Sequence, residues 1–260
     1  MVIPVKLPLG SYDITIERGV LKKAGQLLNL ERKVLIVTDS GVPEEYSKAV
    51  AAQCKTPYIA TVPEGEESKS LEIFEKLCAA MLEHGFTRSD CVVAVGGGVC
   101  GDLAGFAAAS YMRGIDFYNI PTTVLSQVDS SIGGKTAIDL PVGKNLVGAF
   151  YQPRLVLCDT DCLTTLPEDI FRDGCAEVIK YGVLYDPDLF AHLAEHGLDF
   201  DREMVISRCV ELKRNVVAED EFDTGSRMKL NLGHTIGHGA EIQSHFEISH
   251  GKAVAIGMAI

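Results

Sequence analysis

The chain has 260 residues, of which 47% are hydrophobic and 23% charged; the composition is that of an ordinary globular protein, and the length predicts two domains. Its formal net charge of −12 argues against nucleic acid or an anionic membrane as partner, although basic residues can still cluster around an anionic small-molecule substrate. The sequence has no apolar run of about 18 residues and no signal-peptide pattern at its start, so we expect a cytoplasmic protein.

The first part of the chain alternates strand and helix patterns. Predicted strands lie at Tyr12–Glu17, Lys33–Thr38, Tyr58–Val62, Cys91–Val95, Asp116–Ile120 and Val156–Asp159. Predicted helices lie at Val20–Leu28, Glu44–Gln53, Ser70–His84 and Asp102–Ser110. This βα alternation indicates an α/β domain with a Rossmann-like, doubly wound parallel sheet.

Two segments near the predicted strand ends carry charged side chains that could reach a ligand. Asp39 closes one strand, and Glu66 and Lys69 follow another. In doubly wound sheets the ligand lies outside the carboxyl ends of the strands, so these side chains are candidates for cofactor contacts. Helix caps or solvated loop charges would explain the same residues.

A glycine turn follows the predicted strand Cys91–Val95. Gly96, Gly98 and Gly101 have the spacing G-x-G-x-x-G between a strand and a helix. Glycines can take positive φ and let backbone N–H groups approach an anion, towards which the helix from Asp102 would direct its positive end. The turn therefore predicts a pyrophosphate cradle. A dinucleotide site usually has an acidic residue at the end of the next strand, where it binds the ribose. Asp116 instead opens that strand, so a purely structural turn is the alternative.

A basic, glycine-rich stretch follows between residues 127 and 145. It contains Gly133-Gly134-Lys135-Thr136 and Gly143-Lys144-Asn145. Two lysines among hydroxyl and amide donors could hold a phosphate, but the first glycine of a Walker loop is missing. A flexible surface loop is the alternative interpretation.

Beyond residue 158 the patterns become helical, which predicts an all-α second domain over residues 159–260. Candidate helices lie at Glu168–Leu184, Asp186–Glu195, Arg202–Ala218 and Leu232–Gln243. The final segment, Gly251–Ile260, reads as the first turns of an apolar helix that ends without a glycine or polar cap. We therefore expect a chain that is truncated in its second domain.

The helical part contains the residue types of a metal site. Glu177 lies one turn before Lys180, His234 and His238 are four residues apart, and His250 follows. A carboxylate with two imidazoles is typical of catalytic zinc, while the H-E-x-x-H motif of metalloproteases is absent. Paired histidines that are merely hydrogen-bonded in a core would give the same pattern.

Several motifs in this chain match one enzyme family in their order. They are Gly96-Gly97-Gly98-Val99 with Asp102–Phe106, Tyr111–Gly114, Pro121–Thr123, Val128–Ser131, Gly133–Lys135, Gly143–Asn145, Ala176–Gly182 and Asn231–His238. Together they resemble the 3-dehydroquinate synthases. The resemblance implies a homodimeric sugar-phosphate cyclase that uses NAD and Zn²⁺, or Co²⁺, to convert 3-deoxy-D-arabino-heptulosonate 7-phosphate into 3-dehydroquinate and phosphate. It also implies an NAD-binding domain over residues 1–158 and a metal- and substrate-binding domain over residues 159–260.

The resemblance also assigns a role to individual residues. The implied metal ligands are Glu177, His234 and His250. The implied NAD contacts are Asp39, Glu66, Lys69, Gly97, Gly98, Val99, Asp102, Thr122, Thr123, Asp129, Lys135 and Lys144. The implied catalytic and substrate-binding groups are Arg113, Asp129, Lys135, Lys144, Asn145, Lys180, Lys213, Arg227, Asn231 and His238, with Arg113 reaching the neighbouring subunit. Another sugar-phosphate cyclase, a metal-dependent polyol dehydrogenase and a non-catalytic NAD-binding remnant stay open as alternatives.

Overall fold

The computed structural model describes residues 1–8, 10–244 and 247–260, and within these ranges seven strands form one sheet. The strands are β1 (Val2–Val5), β2 (Tyr12–Ile16), β3 (Lys33–Asp39), β4 (Thr56–Val62), β5 (Cys91–Gly96), β6 (Asp116–Pro121) and β9 (Leu155–Cys158). Their order is β1-β2-β9-β6-β5-β3-β4, and every pairing except β1 with β2 is parallel. The predicted parallel sheet is confirmed, with an additional antiparallel strand at one edge.

Helices cover both faces of this sheet. They are α1 (Ala24–Leu27), α2 (Glu44–Ala51), α3 (Leu71–Glu83) and α4 (Gly98–Ser110). Alternate residues of β3 point to opposite faces, so Leu35 packs in one hydrophobic cluster with α3 and α4, and Ile36 packs in the other with α1 and α2. All six residues of β5 are buried, as expected for a central strand covered on both sides. The sheet is therefore doubly wound.

Two helix predictions in this region were wrong. The helix α4 begins at Gly98 instead of Asp102, so Asp102 lies in its second turn. The predicted helix Val20–Leu28 is a 3-10 turn, Val20–Lys23, followed by the short α1. Glycine has a low helix propensity, which weakens helix prediction at both sites, whereas packing against the sheet decides where these turns form.

The basic, glycine-rich stretch is not a flexible loop. It contains a π-helical turn, Ser126–Ser130, and a hairpin of β7 (Lys135–Leu140) with β8 (Gly143–Phe150). The hairpin packs on α4, where a Cβ at Gly105 would come within 2.4 Å of Thr136 Cγ2. Its strands were not predicted, because their glycines and polar residues interrupt the alternation of apolar and polar residues that is typical of a strand.

The described part of residues 159–260 is helical, as predicted. It contains α5 (Glu168–Tyr185), α6 (Pro187–His196), α7 (Arg202–Glu219), α8 (His234–Gln243) and α9 (His250–Ala259). One hydrophobic cluster joins the β1–β2 edge to α5 and α7 through Tyr12, Val178 and Cys209, so sheet and helices share a core. The domain boundary near residue 158 stays a prediction. None of the helices in the described ranges is long and apolar enough to cross a membrane.

Candidate active site

A cavity of about 650 Å³ lies between the β7–β8 hairpin, the π-helical turn and helices α5, α7, α8 and α9. Its walls include many of the residues singled out in the sequence: Asp102, Asp129, Lys135, Asn145, Lys180, Lys213, Arg227, Asn231, His234, His238 and His250. These residues are far apart in the chain. The fold brings them to one concave surface, which is typical of a substrate site.

Glu177, His234 and His250 converge at one end of the cavity. The Nε2 atoms of His234 and His250 lie 3.7 Å and 3.5 Å from Glu177 Oε1. Ligands bound tetrahedrally at 2.0–2.1 Å from Zn²⁺ would lie about 3.3 Å from one another, so the observed spacing fits an ion. Glu177 is 1% exposed, its Oε2 is paired with Lys180, and its Oε1 makes no hydrogen bond within the described ranges. A buried carboxylate left in this state is suited to a metal.

The helices that carry His234 and His250 approach each other at glycines. A Cβ at Gly233 would lie 2.6 Å from the carbonyl oxygen of Val254, and one at Gly237 would lie 3.0 Å from that of Ala253. Gly233 also has φ +79°, a conformation that favours glycine, directly before α8. Small residues therefore let α8 and α9 pack closely enough to bring His234 and His250 together.

The surroundings of Glu177 and the two imidazoles are charged. Lys180, which is 2% exposed, forms an ion pair with Glu177 Oε2, so one carboxylate oxygen contacts an ammonium group and the other the imidazoles. Burial and the nearby Lys180 lower the pKa of His234. The contact with Glu177 raises the pKa of His250.

A second cluster holds Asp129 in the π-helical turn. Its Oδ1 accepts a hydrogen bond from Tyr181 Oη at 2.6 Å and another from Lys213 Nζ at 2.7 Å. Burial by itself would raise the pKa of Asp129, but Lys213 and Lys180 hold it well below its usual range. Burial lowers the pKa of Lys213 to about 8, against the opposing effect of Asp129. The cavity therefore contains an ionised carboxylate beside an ammonium group with a lowered pKa.

A third cluster surrounds Lys69, which is 4% exposed. Its Nζ donates to Asp102 Oδ2 at 2.9 Å and to Asn145 Oδ1 at 2.6 Å, and it lies 3.4 Å from Glu66 Oε1. Burial raises the pKa of Asp102 to about 6, although Lys69 opposes the shift. Lys69 is thus a buried link between α4 and the β7–β8 hairpin, and the interpretation as a solvated loop charge was wrong.

The glycine turn lies at the carboxyl ends of the parallel strands, as predicted. Gly96, Gly97 and Gly98 do not have positive φ, so the predicted reason for glycine was wrong. Space is the reason, because a Cβ at Gly96 would lie 2.5 Å from Cys100 Sγ and one at Gly98 would lie 3.1 Å from Ser130 Oγ. The turn opens α4 directly, which places the positive end of that helix at the turn.

Other predicted NAD contacts surround this turn. Asp39 ends β3, the neighbour of β5, and its Oδ1 accepts from Gly41 N at 2.9 Å. Thr122 N donates to Gly96 O at 2.9 Å, and Thr123 pairs with Ser126 at the start of the next turn. Val99 lies in the first turn of α4. These residues lie together at the carboxyl ends of the parallel strands. Asp116 lies at the opposite end of β6, where it pairs with Arg32 and Arg154.

Of the remaining predicted residues, some line the cavity and others lie outside it. Lys135 forms an ion pair with Asp223, and Lys144 is an exposed residue beside Asn145 at the start of β8. Arg113 ends the 3-10 turn after α4 with φ 68° and does not line the cavity. Asn231 and His238 line the cavity with exposed side chains.

Sequence reasoning missed three residues that contact the predicted ones. Tyr181 binds Asp129, Asp223 pairs with Lys135, and Glu241 contacts His250. Glu241 could have been found, because it lies one turn after His238 on the face that carries the histidines. Asp223 lies between α7 and the 3-10 turn Ser226–Asn231, and no local pattern marks it.

Comparison with known proteins identifies the family. The model of the 3-dehydroquinate synthase N-terminal region matches residues 59–173, and that of the C-terminal region matches residues 174–260. The chain belongs to the 3-dehydroquinate synthase family. A 3-dehydroquinate synthase of Caulobacter vibrioides is 47% identical over an alignment of 273 positions, which covers 99% of this chain and 74% of that protein.

Two solved structures related to this 3-dehydroquinate synthase family member carry ligands. A 2-deoxy-scyllo-inosose synthase complexed with carbaglucose-6-phosphate, NAD⁺ and Co²⁺ superimposes with a TM-score of 0.91 at 28% identity, covering 99% of this chain and 73% of that one. The 2-epi-5-epi-valiolone synthase of Streptomyces hygroscopicus, with NAD⁺ and Zn²⁺ bound, gives a TM-score of 0.88 at 29% identity, covering 98% and 74%. The predicted fold and family are thereby confirmed.

Proposed function

We propose that this protein is a 3-dehydroquinate synthase that converts 3-deoxy-D-arabino-heptulosonate 7-phosphate into 3-dehydroquinate and phosphate with NAD and a divalent metal. The observation that carries the proposal is a single cavity of about 650 Å³ in which metal-ligating and cationic side chains meet. Family membership supports this particular reaction, and the residues that line the cavity have the chemistry that the reaction needs.

Glu177, His234 and His250 would hold the metal, Zn²⁺ or Co²⁺ as in the two ligand-bound relatives. A metal bound there would polarise the substrate hydroxyl that is oxidised. The adjacent Lys180 keeps one oxygen of Glu177 in an ion pair, which directs the other oxygen towards the imidazoles. The protein thus provides a site with fixed ligand orientation.

The glycine turn and the edge of the sheet around it would hold NAD. Backbone N–H groups at Gly97, Gly98 and Val99 begin α4, where a pyrophosphate is favoured by the helix dipole. Asp39 at the end of β3 is placed for ribose hydroxyls, as acidic residues are in other sheets of this kind. The remaining proposed NAD contacts are Glu66, Lys69, Asp102, Thr122, Thr123, Asp129, Lys135 and Lys144. Bound NAD would accept a hydride from the substrate and return it within one turnover.

Cationic side chains would orient the anionic substrate. Lys135, Asn145, Asn231 and His238 would bind its phosphate, and Lys213 and Arg227 its carboxylate, by charge-assisted hydrogen bonds. Arg227 is 4% exposed, and its Nη1 donates to the carbonyl of Glu221 at 2.8 Å, so the guanidinium is held in place before substrate arrives. An acidic protein can bind an anion here because the attraction is local.

Asp129, Lys144 and Lys180 are proposed to act near the reacting hydroxyls. The direct bonds from Lys213 and Tyr181 keep Asp129 ionised and orient it towards the cavity. The conversion oxidises one ring carbon, eliminates phosphate, reduces the carbon again and closes a carbocycle after ring opening. An oriented carboxylate beside ammonium groups can hold hydroxyl protons through these steps.

Three further predictions from the sequence remain proposals. We propose a homodimer in which Arg113, which lies outside the cavity of its own subunit, reaches the substrate phosphate of the neighbour. The cytoplasmic location and the absence of nucleic-acid or membrane partners also stay predictions. Analytical ultracentrifugation with Arg113→Ala activity measurements would test the first of them.

The deciding experiment is phosphate release from 3-deoxy-D-arabino-heptulosonate 7-phosphate with and without NAD and Zn²⁺, while net NADH is followed by absorbance. We expect release that needs both additions, without NADH accumulation. Glu177→Gln should abolish it, whereas Glu168→Gln, an exposed residue of the same helix α5, should not. Net NADH formation would contradict the proposal and indicate a polyol dehydrogenase.

The similarity to two other sugar-phosphate cyclases favours one alternative, a different cyclic product from a different sugar phosphate. Phosphate release from a hexose 6-phosphate, with none from the heptulosonate, would support that alternative. NAD binding without turnover of either substrate would instead indicate a non-catalytic remnant.

A further inference from the structure

His250 lies between two carboxylates, one on each side of its ring. Its Nε2 lies 3.5 Å from Glu177 Oε1, on the side of the proposed metal, and its Nδ1 lies 3.4 Å from Glu241 Oε1. Glu177 comes from α5 and Glu241 from α8, while His250 opens α9. The orientation of this imidazole is therefore determined by two helices at once.

Glu241 is an acidic residue of α8 whose side chain is buried. It is 8% exposed, although the neighbouring Ile242 is 60% exposed. Burying a carboxylate is costly unless a partner compensates for it. Its described contacts are with His250 and, at 4.0 Å, with His238 Nε2, so the imidazole of His250 is its closest compensating group.

A histidine that binds a metal through one nitrogen usually donates its other N–H to an acceptor. The acceptor selects the tautomer, fixes the ring plane and makes the ligand more basic. Glu241 faces Nδ1, so it would hold the proton on that atom and leave the lone pair of Nε2 for the metal. The Glu241–His250 contact has the arrangement of a carboxylate–histidine–metal unit.

We propose that Glu241 is a positioning residue for the metal site, acting through Nδ1 of His250. The inference rests on the proposed metal site at Glu177, His234 and His250, and it adds a residue that does not itself bind the ion. It also explains why an acidic side chain is buried one turn beyond His238 on α8.

The atoms of His238, Glu241 and His250 are also close enough to hold an ion themselves. The structure favours positioning over such a second site. His238 is 59% exposed at its side chain and 4.0 Å from Glu241, whereas Glu177 is buried between two imidazoles. His250 could serve both ions only as a bridging imidazolate, which would need the loss of its second ring proton. A single ion at Glu177 uses the neutral ring.

The test is direct metal binding to the whole chain, measured without turnover. Zn²⁺ affinity is obtained by competition with a chromophoric chelator, and Co²⁺ absorption reports the coordination geometry. Glu241→Gln keeps the shape and a weak acceptor, while Glu241→Ala removes both. Glu247→Gln is the matched control, because it removes one charge from an exposed side chain between α8 and α9. Thermal unfolding of the metal-free proteins shows that each variant folds.

We expect Zn²⁺ affinity to fall about 10-fold in Glu241→Gln and up to about 100-fold in Glu241→Ala, the range for lost partners of metal-ligating histidines. Glu247→Gln should bind like the parent, and the Co²⁺ spectrum should change only in the Glu241 variants. Equal affinities for the parent and both Glu241 variants would overturn the inference. So would a stoichiometry that falls from two ions to one on substitution, since Glu241 would then be a ligand.

Zn²⁺ binding by Glu177→Gln tests the proposed metal site independently of Glu241. Glu177→Gln should lose Zn²⁺ binding altogether, whatever happens at Glu241. If the parent and Glu177→Gln bind Zn²⁺ equally, the proposed metal site itself is wrong and the inference falls with it. If only the Glu241 variants match the parent, the metal site stands and positioning by Glu241 is refuted.

Discussion

Gly251 at the start of α9 lies so close to Asp173 on α5 that a Cβ there would come within 1.9 Å of the Asp173 carbonyl oxygen. The two helices therefore touch through backbone atoms, one residue from His250 and one turn from Glu177. A backbone contact cannot be relieved by a change of rotamer, in contrast to a contact with a flexible side chain. This contact sets the distance between two of the proposed metal ligands.

We expect Gly251→Ala to push α9 away from α5 and to weaken Zn²⁺ binding by at least about 10-fold, together with a loss of stability of about 1–3 kcal/mol from overpacking. Chelator competition and urea unfolding measure the two effects. The control is Gly239→Ala on α8, where a Cβ would meet nothing within 4 Å. That variant should gain about 0.5–1 kcal/mol from helix propensity and bind Zn²⁺ normally. Normal metal affinity in Gly251→Ala would contradict this account.

Tyr181→Phe removes one hydrogen bond to Asp129 and leaves the ring in the core. Tyr181 is fully buried and its Oη donates at 2.6 Å, so we expect a loss of about 1.5–3 kcal/mol in urea unfolding and a lower kcat. Tyr185→Phe is the matched control, because the hydroxyl of Tyr185 makes no hydrogen bond to the described residues and its ring packs on the same cluster. If both variants lose the same stability, the bond to Asp129 contributes little.

The lowered pKa of Lys213 predicts a pH dependence of substrate binding. Lys213 is protonated below its folded-state pKa of about 8 and neutral above it, so its attraction for an anionic substrate is lost as pH rises through that value. We expect kcat/KM to fall there. Lys213→Arg should remove this limb, because arginine stays charged. If kcat/KM falls at the same pH in the parent and in Lys213→Arg, a group other than Lys213 titrates there.

The same pKa gives a stability prediction of definite sign. The folded protein binds fewer protons at Lys213 than the unfolded chain between pH 8 and about 10.4, so the free energy of unfolding should rise with pH across this range. Unfolding of Lys213→Met should lack this rise. Urea midpoints at pH 8 and pH 10 would measure the difference.

The buried Lys69 and the partly buried Asp102 form an ion pair whose members should depend on each other. Lys69→Met leaves Asp102 without its ammonium partner, and we expect a cost of about 3–5 kcal/mol at pH 8. The double variant Lys69→Met with Asp102→Asn should recover most of that loss, since no charge then remains buried. Independent, additive losses in this cycle would mean that the pair contributes nothing as a pair.

The sequence determined the parallel sheet and the order of its βα units. Short apolar runs such as Cys91–Val95 and helical periods such as Ser70–His84 are local signals, and local propensity agrees there with the tertiary structure. The residues of the proposed metal site could also be named from the sequence, because histidine spacing and family motifs are visible in the linear chain. Element boundaries were predicted less accurately, since α4 begins four residues before the predicted start.

Only the tertiary structure decided which of these residues meet and what state they are in. The hairpin Lys135–Phe150 and the burial of Lys69 depend on partners up to 76 positions away, and no local pattern encodes such pairings. The helical spacing places Glu241 near the histidines, but only the packing of α8 on α9 decides that it contacts His250. The reason for the glycines also lay in tertiary packing, since space and not positive φ requires them at Gly96 and Gly98. Burial and charge contacts set the pKa values of Asp102 and Lys213, because desolvation arises only when distant segments enclose a group.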